Sequence, residues 1–188
     1  MTEFEFVFIL YAFILGLSLV ALLSGFGTMM ERVFATQDTD ERFRVGLLTP
    51  LLATFVLLDL MSFWLFAWVV QEQIKFAADT VLAVLAFSSA YYLAARLVFP
   101  SDAARFEDMD THFYRVRRLV LGILLVLFGA QWLFILSYPD VYPVNRMGVI
   151  RAVVFGALIL LAMIPRRRAL ALTGLVGLNI YYFYAYLW

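Results

Sequence analysis

Apolar residues run in long unbroken stretches along this chain, interrupted at short intervals by clusters of arginine, acid and proline. Six stretches reach the roughly 20 residues that a helix needs to cross a hydrocarbon core of about 30 Å. They cover 7–29, 47–70, 76–99, 119–138, 147–164 and 170–188. None alternates polar with apolar positions, which excludes the strands of a membrane barrel. Local signals set several ends. Thr49 before Pro50 reads as a cap and first turn for the second span, and Pro100 closes the third. Pro139 and Pro143 close the fourth, Asn145 caps the fifth, and Pro165 ends it. The pattern predicts an all-α membrane protein, a six-transmembrane-helix bundle forming a single domain over 1–188.

Composition agrees: 65% of the 188 residues are hydrophobic and 15% charged, with a mean hydropathy of +0.93. A soluble domain of this size could not cover so much apolar surface. Glu3 and Glu5 stand where a secretory signal would carry cations, so the first span is expected to be retained. Formal net charge is zero, which gives no field to attract nucleic acid. The absence of cysteine removes disulfides and thiolate chemistry.

The distribution of cations carries more than their sum. Arg32, Arg42 and Arg44 lie in loop 1, Arg96, Arg105, Arg115, Arg117 and Arg118 around loop 3, and Arg166, Arg167 and Arg168 in loop 5. Loops 2 and 4 with their flanking turns hold Lys75, Arg146 and Arg151. The positive-inside rule then puts loops 1, 3 and 5 in the cytoplasm and both termini on the non-cytoplasmic side of a cell inner membrane. After Pro100, Ser101 is read as the cap of a short interfacial helix presenting Phe106, Met109, Phe113 and Val116 on one face and Arg105, Asp108, His112 and Arg115 on the others.

One carboxylate stands out. Asp59 falls near the middle of the second span, where insertion costs about 2.5 to 3.5 kcal/mol. Ser18, Ser88, Ser89 and Asn179 are expected at similar depth, with Gln131 about one turn away. In the functional reading Asp59 carries a proton or balances a cation, with these polar groups as further ligands. In the structural reading the same groups bond neighbouring helices together, each bond contributing only about 0.6 to 2 kcal/mol. Asp79 and Arg151, each about one turn inside the outer end of its span, form a candidate ion pair, with snorkelling of both as the alternative. Small residues at Ser18, Ala21, Gly25 and Thr28 in the first span, and at Ala83, Ala86, Ala90 and Ala94 in the third, mark packing faces.

Other chemistry is thin. His112, the single histidine, follows Glu107, Asp108 and Asp110 at spacings that match no zinc or calcium template, so this run reads as solvated ion pairs. No phosphate-binding glycine loop or nucleophile elbow occurs, and neither a catalytic residue, a metal site nor a cofactor is expected. The aromatic run from Tyr181 to Trp188, with Trp64 and Trp68, reads as a membrane-interface belt, or as a surface docking a partner subunit or a second copy. Tyr91, Tyr92, Ala95 and Leu97 match Tyr181, Tyr182, Ala185 and Leu187 in register, as a weak three-plus-three inverted repeat would require; the abundance of these residue types makes chance the simpler source.

The Leu10-Tyr11-Ala12-Phe13-Ile14-Leu15-Gly16-Leu17-Ser18 and His112-Phe113-Tyr114-Arg115-Val116-Arg117-Arg118 runs resemble those of uncharacterised bacterial multi-pass proteins. The resemblance implies a bacterial inner membrane and six helices, and it brings no site residues. Two functions remain as expectations. One is a small ion or proton channel or transporter built on Asp59; the other is a non-catalytic scaffold or accessory subunit of a membrane complex.

Overall fold

A computed structural model describes residues 2–37, 43–102 and 108–187. Among them are six α-helices and no strand: α1 Glu3–Gln37, α2 Leu48–Val69, α3 Ala78–Leu97, α4 Met109–Leu136, α5 Arg146–Met163 and α6 Arg168–Leu187. All six are long and apolar enough to cross a membrane. Large apolar side chains such as Leu82, Val126 and Leu133 face outward with about two thirds of their surface exposed (65%, 71% and 69%). A surface of this kind suits lipid rather than water, and the six helices are compatible with a multi-pass membrane helix bundle.

Several helix ends differ from the apolar runs. Helix α1 continues well beyond 29, because Met29 is buried and the residues that follow, Met30, Glu31 and Arg32, are good helix formers. Counting apolar residues finds the membrane crossing and misses a helix that extends past it. Helix α4 begins at Met109 rather than near 119. Asp108 caps it by accepting the Asp110 N–H at 2.8 Å, and Met109 and Phe113 are fully buried, so this stretch is the start of α4 and not a separate interfacial helix. The Arg105 and Phe106 positions of that expectation lie outside the described residues. Ser101 accepts a hydrogen bond from Arg96 at 3.0 Å.

Thr49 does not cap α2. It sits inside the helix and donates to the Met109 carbonyl at 2.8 Å, while the Leu48 N–H is met by Asp110 Oδ1 at 3.1 Å. A cap supplied by a residue far along the chain leaves no local sequence signal. Asn145 does cap α5, accepting the Gly148 N–H at 2.7 Å.

Helices α1 and α3 pack along each other, as do α5 and α6; α2 lies against α6, α1 and α4, and α4 joins α3 to α5. Ser18, Gly25 and Ala94 of the two small-residue faces are used in this packing, Gly25 with no room for a Cβ beside Phe99. Ala83, Ala86 and Thr28 stay exposed. The two halves are not packed alike: an inverted repeat that pairs α1 with α3 would pair α4 with α6, yet the main neighbours of α4 are α3, α5 and α2.

Loops 1, 3 and 5 gather at one end of the bundle. Asp110 Oδ1 meets α2 there, and its Oδ2 lies 2.9 Å from Arg168 Nη2. Gly46, at φ +65°, abuts the same carboxylate with no space for a Cβ. His112 Nε2 lies 3.2 Å from the Leu97 carbonyl oxygen. Asp110 and His112 are both buried, each 7% exposed, so these two members of the expected solvated run are instead built into the packing; Glu107 lies outside the described residues. Arg117, 3% exposed, rests its guanidinium 4.7 Å from the centre of the Tyr114 ring. The amino terminus and loops 2 and 4 share the opposite end, where Glu3 accepts the Phe76 N–H at 2.9 Å. The Tyr142 hydroxyl there sits between the Gln73 amide oxygen and the Val69 carbonyl, 2.8 Å from the latter.

Candidate functional site

Asp59 is the twelfth residue of α2, flanked by leucines that keep the helix continuous through the middle of the bundle. Its side chain is 3% exposed. Phe55 and Phe63, one turn either side on the same face, stack against Tyr182 and Tyr91 with ring centres 5.9 and 4.8 Å apart. These rings exclude water from the carboxyl group and bring their hydroxyls to it.

Tyr182 donates to Asp59 Oδ1 at 2.5 Å. Ser62 donates to the Asp59 backbone carbonyl at 2.8 Å and lies 3.2 Å from the Tyr182 hydroxyl. Tyr91 lies against the same carboxyl group, but its one proton goes to the Val56 carbonyl at 2.6 Å. Asp59 Oδ2 is therefore buried without a hydrogen-bond partner, which costs about 1 to 3 kcal/mol, or more for a charged group. Two further phenols close the ring: Tyr11 donates to the Phe63 carbonyl at 3.0 Å and Tyr186 to the Leu58 carbonyl at 2.7 Å. Four tyrosines from α1, α3 and α6 thus converge on residues 56–63 of α2.

The polar groups expected beside Asp59 do not bond to it. Ser18 and Ser88 are buried but donate back into their own helices, to Ile14 at 3.0 Å and to Val84 at 2.7 Å. This is the routine behaviour of serine inside a membrane helix. Asn179 donates to Leu175 at 2.8 Å and across to Leu51 at 3.1 Å, tying α6 to α2, with its Oδ1 unpartnered. Ser89 is half-buried on α3 and Gln131 half-buried on α4. Asp79 and Arg151 make no ion pair. Asp79 accepts the adjacent Thr80 N–H at 2.9 Å, and Arg151 lies beside Tyr181.

The residues that complete the site, Tyr11, Tyr91, Tyr182 and Tyr186, were absent from the sequence-derived set. A signal existed: Tyr182 and Tyr186 are four apart, so they share a helix face, and their rings stack at 5.6 Å. The composition of the last turns pointed to an interface belt, which describes Phe183, Tyr184 and Leu187, all exposed, but not their inward-facing neighbours. Trp188 lies outside the described residues. The inward pair Tyr91 and Tyr182 is also one position out of the repeat register that aligned Tyr91 with Tyr181.

A cavity of about 500 Å³ opens among α1, α2, α3 and α4 toward the end holding loops 2 and 4. Asp79 and Gln131 are in its wall, and so is Tyr11, whose hydroxyl is bonded one helical turn from Asp59. Beside this end, burial and then the Glu72 carboxylate hold the Tyr142 phenol above its ordinary range.

Comparison of the chain with protein-family models, with curated proteins and with solved structures gives no match.

Proposed function

We propose that the protein is a small multi-pass transport protein of a cell inner membrane that binds and passes protons at Asp59, with loops 1, 3 and 5 in the cytoplasm. The observation that carries this reading is the half-bonded carboxyl group: a mid-helix acid with one oxygen held by Tyr182 and the other unpartnered and buried. An intramembrane acid that serves only as glue should use both oxygens. A proton on Oδ2 would supply the missing interaction by donating to the Tyr91 hydroxyl oxygen. The surroundings suit a proton better than a metal ion, since phenols already engaged with backbone carbonyls offer little of the six-to-eight-oxygen shell that a hard cation such as calcium takes. The cavity ending at Tyr11 supports access from one side.

A scaffold role has its own support in the three phenols that anchor α1, α3 and α6 to α2 carbonyls. Proton flux into proteoliposomes under an imposed potential separates the two. Asp59→Asn is expected to lower flux by at least about tenfold while the protein stays folded. Flux unchanged by the substitution removes Asp59 from the pathway, and no flux in folded wild type favours the scaffold. Because the chain has no cysteine, single-cysteine variants report sidedness: Asp140→Cys should react with an impermeant maleimide added outside cells, and Arg167→Cys should not.

A further inference from the structure

The cavity has a chemistry of its own. Its wall is mostly apolar and rich in aromatic rings, with Phe4, Phe8, Phe66, Phe87 and Phe134 contributed by four helices, and Asp79 is the one formally charged group among its described lining residues. Gln131 contributes an amide that bonds to no described residue of the protein, although it lies about a turn and a half inside α4. The described charges at this end are Glu3, Glu5, Glu72, Asp79 and Asp140 against Lys75, Arg146 and Arg151, so the approach is acidic on balance.

Aromatic faces and a carboxylate are the two groups that hold an organic cation. The ring faces attract it through their quadrupoles, most strongly when it has shed its water, and the acid balances its charge. An anion would meet Asp79, and a small inorganic cation would have to give up its hydration to an apolar wall. We propose that this cavity binds a lipophilic organic cation, a hydrophobic amine or quaternary ion, with Asp79 as counter-ion and Gln131 as a hydrogen-bonding or dipolar partner. Binding needs no transport; that the bound cation is exchanged for protons at Asp59, reached through Tyr11, rests on the function proposed above.

The test uses tetraphenylphosphonium and tetraphenylborate, ions of like shape and opposite charge, with the full-length protein in a non-ionic detergent and empty micelles as the blank. Calorimetric titration is expected to detect saturable, one-site binding of the phosphonium and none of the borate. Asp79→Asn should weaken the phosphonium by about tenfold, the factor worth 1.4 kcal/mol, and Gln131→Leu, which preserves the apolar wall, by a smaller factor. Equal binding of both ions, or phosphonium affinity unchanged in a folded Asp79→Asn protein, overturns the assignment. The two proposals fail separately. Phosphonium binding without proton flux leaves the cation site standing and removes the transport reading, whereas Asp59-dependent flux without binding does the reverse.

Discussion

Among the described residues two aspartates are buried, and they are bonded in opposite ways. Asp110, at the end that gathers loops 1, 3 and 5, has a partner for each oxygen: the first N–H of α2 and the guanidinium of Arg168. Asp59, at mid-bundle, has a partner for one. Both are 7% exposed or less, so burial alone does not separate them. Completeness of bonding does. A fully satisfied acid fixes helix ends and has nothing left to offer a ligand, while a half-satisfied one retains an interaction that a proton can complete.

If that contrast holds, substitutions should divide the same way. The largest stability loss is expected at the completed site, where Asp110→Ala strands the buried Leu48 N–H; about 2 to 3 kcal/mol is expected, read from thermal unfolding in detergent. Gly46→Ala should lose a similar amount, since it adds the strain of a left-handed residue at about 1 to 2 kcal/mol and pushes on the same carboxylate. The double variant should lose clearly less than the sum, because both act through Asp110; simple additivity would separate them. Tyr182→Phe should cost about 1 kcal/mol in stability and reduce proton flux about fivefold. Arg168→Gln should cost under about 1 kcal/mol, because that side chain is 64% exposed and exposed pairs contribute little. Asp59→Asn should change stability least, by about 1 kcal/mol or less, since an amide can still accept from Tyr182. A stability loss at Asp59 as large as that at Asp110 would erase the distinction.

The number and approximate position of the helices were legible in the sequence because a hydrocarbon core imposes a length that apolar runs record directly. Asp59 was legible for the same reason, as an acid where none is expected. Its partners were not. Tyrosine is at home both in a membrane interface and in a core when its hydroxyl finds an acceptor, and only the packing of α6 on α2 decides that Tyr182 turns inward while Phe183 and Tyr184 turn out. The role of Asp110 was hidden by distance: it completes a helix 62 residues away. Its neighbours Asp108, His112 and Arg115 resembled an exposed charged run, and nothing local marked Asp110 as different.

That distance has a meaning in time as well as in space. During synthesis the chain emerges amino terminus first, so α2 is made and delivered to the membrane with its first turn unfinished. The turn is completed only once Asp110 has followed, and the acid acquires its counter-charge only with Arg168, at the start of the last helix. A nascent chain halted before Asp110 would therefore hold α2 with a loose end.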